Sequence, residues 1–121
     1  MRLFEIPKRE AMKTVWIAMI AVAGLAATGN VLAGGDAETG KEKAALCSAC
    51  HGPGGNTPIA PEYPRLAGQP EDYLEKALRD YKSGKRKNPL MGPQAQNLSK
   101  QDMKDLAAYF SKLSGDLKVK Y

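Results

Sequence analysis

Histidine is almost missing from this sequence, and cysteine is scarce. The 121 residues hold one histidine, His51, and two cysteines, Cys47 and Cys50. A single imidazole leaves none to spare as a second acid–base group and excludes two histidines on one metal within the sequence. Three candidate ligands also fall short of the four Cys/His groups that a structural zinc normally takes. No stretch alternates apolar and polar residues in the manner of a strand, and no segment repeats. The βαβ setting of a thioredoxin-like dithiol is therefore missing. Long apolar runs are missing too: the longest, residues 15–27, is shorter than the ~20 residues of a membrane span. Charge is mild. Residues 34–121 carry fourteen Lys/Arg against eleven Asp/Glu, a formal +3, too little to argue for nucleic-acid binding.

The N-terminal part reads as a targeting segment. Lys8, Arg9 and Lys13 precede the apolar run from Val15 to Ala27, and Val31-Leu32-Ala33 offers small residues where a signal peptidase reads. An apolar region of about 7–15 residues fits a secretory signal. The expectation is a signal peptide over 1–33, cleavage before Gly34, and export to the periplasm. An uncleaved anchor is the alternative. The stretch before Met12 is long for a signal and contains Pro7, and a start at Met12 gives a more compact one.

What is present is concentrated in five residues, Cys47-Ser48-Ala49-Cys50-His51. C-x-x-C-H is the haem c attachment sequence. Each thiol can add across a haem vinyl group, and the adjacent imidazole can ligate the iron. Haem c, covalent and one per chain, is the expected cofactor; a redox dithiol competes with this reading. A domain as short as 34–121 has trouble burying enough apolar surface by itself. A covalently held macrocycle supplies the missing core, so the apoprotein is expected to be poorly folded.

The rest of the chain reads as helices and proline-rich loops. Asp36 is a candidate N-cap for a helix running from Ala37 to Cys47, and Gly40 within it marks a place where another helix crosses closely. Pro58, Pro61 and Pro64 forbid regular structure but stiffen the path. One backbone carbonyl of that loop, assigned to Pro64, is wanted by the second ring N–H of His51. Pro70 opens a second helix that ends at Gly84, with Tyr73, Leu74, Ala77, Leu78 and Tyr81 as its apolar stripe. Ser99 and Asp102 form a capping-box start to a last helix, whose stripe is Met103, Leu106, Ala107, Phe110 and Leu113. The fold class is all-α, with three main helices around one haem.

The sixth iron ligand follows by elimination. Two methionines lie beyond residue 33, and Met103 sits on a core stripe. Met91 lies in a loop stiffened by Pro89 and Pro93 and is the expected ligand; Asn97 is a candidate to steady that loop. A neutral thioether raises the reduction potential. Two protein ligands leave no site for a substrate, which describes a carrier and assigns no catalytic residue. Lys82, Lys85, Arg86 and Lys87 form a basic cluster suited to rim an exposed haem edge. The rival functions are a membrane-tethered subunit of a larger oxidoreductase, and a haem sensor or peroxidase in which Met91 is labile.

With these residues in view, the sequence resembles the bacterial class I cytochromes c, in particular small periplasmic monohaem forms and one half of the tandem dihaem cytochromes c. The resemblance rests on Cys47 to Gly52, Pro64-Arg65-Leu66-Ala67-Gly68-Gln69, Tyr73-Leu74, Gly84-Lys85-Arg86 and Met91. Asn97-Leu98-Ser99 and Ala107-Ala108-Tyr109-Phe110 complete it. It implies the cytochrome c fold, thioethers at Cys47 and Cys50, axial His51 and Met91, and support of His51 by the Pro64 carbonyl. It further implies that Leu66 packs on the haem and that Gly40 meets Tyr109 or Phe110. The implied partners are redox proteins such as a terminal oxidase, a quinol–cytochrome c reductase or a periplasmic dehydrogenase. The single C-x-x-C-H departs from the dihaem pattern.

Overall fold

The computed structural model describes residues 34–117. The targeting segment expected over 1–33 lies outside the described residues. Five α-helical segments appear: α1 (Ala37–Lys43), α2 (Ala45–His51), α3 (Glu71–Ser83), α4 (Met91–Gln96) and α5 (Lys100–Lys112). A 3-10 turn over Pro53–Gly55 follows α2. Among the described residues there is no strand, and no helix is long and apolar enough to cross a membrane.

The first helix starts where the sequence places it. Asp36 takes an extended conformation and its side chain accepts from the Thr39 N–H at 2.7 Å, satisfying one of the orphan donors of a helix start. The helix then runs further than expected, to His51, with one interruption at Ala44. The Ala44 N–H is shared between the carbonyls of Gly40 (2.9 Å) and Lys41 (3.3 Å), a local tightening of the turn. The whole C-x-x-C-H sequence is therefore helical.

Helix α5 is the centre of the packing, against α1 on one side and α3 on the other, while α4 packs on α3. Its start is the expected capping box: Ser99 Oγ accepts from the Asp102 N–H at 3.0 Å, and Asp102 accepts from the Ser99 N–H at 2.8 Å. Met103, Leu106, Ala107 and Phe110 are buried, and Leu113 packs at the edge of the same cluster. At the crossing with α1, a Cβ built on Gly40 would lie 2.0 Å from the Asp105 carbonyl oxygen and 2.9 Å from Tyr109 Cβ. Tyr109 is thus the contact at Gly40. The Phe110 ring instead lies against Gly55, and the two rings sit 5.0 Å apart.

The α3 stripe needs one correction. Leu74 is buried and Leu78 packs on the core cluster, but Tyr73 is 46% exposed. The reason is geometric: five apolar residues at i, i+1, i+4, i+5 and i+8 span two rows of a helix, and only the Leu74–Leu78 row packs on that cluster. The Tyr73 hydroxyl accepts from Arg86 at 3.4 Å, and the Arg86 guanidinium lies 4.9 Å over the Tyr81 ring.

A polar knot locks the α1–α5 crossing, and its centre, Asp105, is buried. Asp105 accepts from the Asp36 N–H (2.9 Å), Gln101 (2.8 Å) and the Lys43 ammonium (3.0 Å). Burial alone would raise its pKa; these donors together hold it below the usual carboxylate value. Lys43 also pairs with Asp102 at 2.6 Å. That ammonium, and the Ser99 N–H after it, hold Asp102 down to about 2 from an ordinary 3.8. A carboxylate depressed in the folded state stabilises fully above its unfolded value, and the contribution is lost as pH falls through 3.8 toward 2. Because Asp102 is partly in water, the expected loss is about 1 kcal/mol. Urea midpoints of the haem-loaded protein should fall through that window, and Asp102→Asn should remove that part of the slope. An unchanged slope in the variant contradicts the assignment.

Candidate haem-binding site

The α2 helix carries Cys47, Cys50 and His51 on one short segment and stops immediately after them. Gly52 is the C-cap, with φ +81°, a conformation that L side chains rarely adopt. A Cβ there would also lie 1.7 Å from the Thr57 carbonyl oxygen. The chain can turn sharply after His51 because this residue is glycine. It then returns past the motif, and the Ile59 N–H donates to the Cys50 carbonyl at 3.1 Å.

His51 is buried, and its Nδ1 lies 2.7 Å from the Pro64 carbonyl oxygen. A carbonyl can only accept, so Nδ1 carries the proton and Nε2 keeps its lone pair. The hydrogen bond therefore fixes both ring orientation and tautomer for a metal at Nε2. The stiff proline loop reaches this point because the Leu66 and Ala67 N–H groups both donate to the Gly55 carbonyl, at 2.7 and 3.1 Å. Leu66 itself packs against the core cluster of Ala44, Leu74, Leu106, Ala107 and Phe110, as does Cys47. The Tyr63 ring stands edge-on to His51 with centroids 6.2 Å apart, a neighbour that the sequence pattern did not single out.

Both cysteines are free and half-buried. Burial, with the neighbouring Cys50 charge adding to it, pushes the Cys47 thiol above its ordinary range. A redox dithiol needs the opposite, a depressed thiolate pKa. Among the described residues no group of three or more His, Cys, Asp or Glu side chains is placed to hold a metal ion.

Met91 is half-buried and opens α4 instead of lying in a loop. The proline content that suggested a loop is compatible with a helix start. Pro93 is the third helical residue, where a missing N–H costs nothing. Asn88 supplies the cap: its Oδ1 accepts from the N–H groups of Leu90 and Met91, both at 2.9 Å, and its carbonyl accepts from Gly92 at 3.0 Å. Asn97 stands at the C-cap of α4, and among the described residues its side chain forms no hydrogen bond. The signal for Asn88 was available in Asn88-Pro89, a dipeptide whose side-chain oxygen commonly closes a turn.

Of the basic cluster, Lys85, Arg86 and Lys87 are exposed. Lys82 differs. It is half-buried, and its ammonium donates to the carbonyls of Leu98 and, at 3.3 Å, Gln96.

The donor set fits haem c: two unpaired thiols, one imidazole with Nδ1 already engaged, and one thioether. Large apolar side chains also stand exposed beside these donors, Ile59 (66%) next to the motif and Leu90 (56%) next to Met91.

Comparison with known proteins agrees. Residues 37–114 match the family described as cytochrome c. Cytochrome c4 of Pseudomonas aeruginosa is 48% identical over 100 residues, covering 83% of this chain and 48% of that protein. Cytochrome c-554(548) of Halomonas halodenitrificans is 48% identical over 80 residues, covering 64% of this chain and 95% of that one. The crystal structure of reduced recombinant cytochrome c4 from Pseudomonas stutzeri superposes with a TM-score of 0.64 at 47% identity, over 69% of this chain and 48% of that one. The chain spans about half the length of these cytochrome c4 relatives. Motif, fold and match over most of the described residues lead to one conclusion: the chain belongs to the cytochrome c family.

Proposed function

We propose that this protein is a periplasmic electron carrier, bound to one haem c through thioethers at Cys47 and Cys50, with His51 and Met91 as axial ligands. The observation that carries the reading is the 2.7 Å contact between His51 Nδ1 and the Pro64 carbonyl. It holds the imidazole as a fixed, strengthened Nε2 donor, which is what a permanent axial ligand requires. Haem c supplies the one-electron couple when bound. When haem c is bound, a thioether from Met91 would favour its reduced state and would leave no position for a substrate. Leu66 forms part of the pocket wall.

Residues 1–33 act as the export signal, cleaved before Gly34. The single C-x-x-C-H supports a monohaem protein resembling one half of a tandem dihaem cytochrome. Partners are redox proteins: a terminal oxidase, a quinol–cytochrome c reductase or a periplasmic dehydrogenase. Lys85, Arg86 and Lys87 form the docking rim, steering acidic partners and acting mainly on association rate.

Small redox ions test this. Oxidation of the reduced protein by an anionic iron complex should slow with added salt, and Lys85→Glu with Lys87→Glu should slow it about tenfold at low salt. Oxidation by a cationic cobalt complex should respond in the opposite sense. Equal rates for wild type and variant with both reagents would contradict the rim. A protein that fails to cycle between two spectrally distinct states would contradict the carrier reading.

A further inference from the structure

The C-terminal end of α4 is secured by another helix. A six-residue helix leaves its last carbonyls without partners inside it. No side chain of Met91–Gln96 is charged, so any charged anchor has to come from outside. Lys82 of α3 provides it, donating to the carbonyl of Gln96, the last residue of α4, at 3.3 Å and to that of Leu98, just past the C-cap Asn97. Gln96 closes the clasp, its Nε2 donating to the Lys82 carbonyl at 2.7 Å. A cation at a helix C-terminus is favoured by the helix dipole, and a charged donor makes a stronger hydrogen bond than a neutral one. At the other end, Asn88 holds the first N–H groups. Helix α4 is thus fastened at both ends, and Met91 is its first residue.

We propose that Lys82 is a positioning residue for Met91: by clasping the C-terminal end of α4 to α3 with Gln96, it sets how persistently the Met91 sulfur is presented to the iron. This rests on Met91 being the distal ligand. Without the clasp, α4 is held by Asn88 and by packing alone, and Met91 spends more time withdrawn. Lys82 therefore works on the site, whereas Lys85, Arg86 and Lys87 face solvent.

The test uses the full haem-loaded protein with Lys82→Met, which keeps the length of the stem but loses the donors, and with Lys82→Arg, which keeps them. Three quantities are read: the ferric iron–thioether band at the red end of the visible, carbon monoxide binding to the ferrous state, and the urea midpoint of global unfolding. Lys82→Met should bind carbon monoxide about tenfold more readily than wild type, the scale of a lost charged hydrogen bond. Its band should fade well before global unfolding, and Lys82→Arg should restore it. Gln96→Ala should move the same way by less, and it serves if Lys82→Met does not accumulate. A wild-type band and carbon monoxide response in both variants overturns the proposal. So does a band that is lost only together with global unfolding. Retention of the band in Met91→Ala overturns the Met91 assignment, and the role of Lys82 falls with it.

Discussion

Replacing both Cys47 and Cys50 with serine should leave a chain without most of its helical circular dichroism. The reason lies in what the polypeptide buries. Of the nine buried apolar residues among those described, five are alanine: Ala44, Ala67, Ala95, Ala107 and Ala108. Alanine adds little transfer free energy, about a single methyl each. Meanwhile Leu46, Ile59 and Leu90 are more than half exposed. Such a core does not offset the conformational entropy of ordering the chain. Loss of the covalent macrocycle should therefore remove more than about 5 kcal/mol, the whole stability of a marginal domain. Far-UV dichroism and a urea titration of the double variant check this. A fully helical, cooperatively unfolding apoprotein would show that the polypeptide core suffices, and that haem is cargo instead of core.

The second large effect is expected at Met91. If Met91 holds the iron as proposed, removing its sulfur in Met91→Ala would leave that face without a histidine or methionine ligand, because the sequence holds no second histidine and Met103 is buried in the α5 stripe. On the proposed ligation, wild type would admit an external ligand only in a minor state with Met91 withdrawn, of order 1% of molecules. The variant is competent all the time, so its ferrous form should bind carbon monoxide about a hundredfold more tightly. Its reduction potential should fall, since the thioether that favours ferrous iron is gone. Titration with carbon monoxide and potentiometry read both. An affinity equal to that of wild type would mean that Met91 never guarded the iron.

What could be read from the sequence is what is local in it. Cys47, Cys50 and His51 are neighbours, so their chemistry is visible without a fold. The caps at Asp36 and Ser99 obey rules that span three residues, and both are found. Gly40 announced a crossing because glycine is costly in a helix unless something approaches closely. Pro64, thirteen residues from His51, was reachable because the proline density left few flexible carbonyls nearby. Long-range polar contacts have no such signature. Asp105 lies between Lys104 and Leu106, where nothing local marks it as buried, yet it is buried and held by donors from Asp36 and Lys43, more than sixty residues away. Lys82 belongs in sequence to a run of cations but in space to the carbonyls of Gln96 and Leu98. The helix at Met91 was hidden for another reason: proline and glycine usually break helices, but the first turn tolerates them.

The most direct test of the account is the optical spectrum of the purified holoprotein, ferric and ferrous, with and without carbon monoxide. Ligation by His51 and Met91 predicts a weak ferric band at the red end of the visible and a ferrous spectrum that carbon monoxide leaves essentially unchanged. A high-spin ferric spectrum, or ready conversion of the ferrous form by carbon monoxide, would remove Met91 from the iron and contradict the carrier reading.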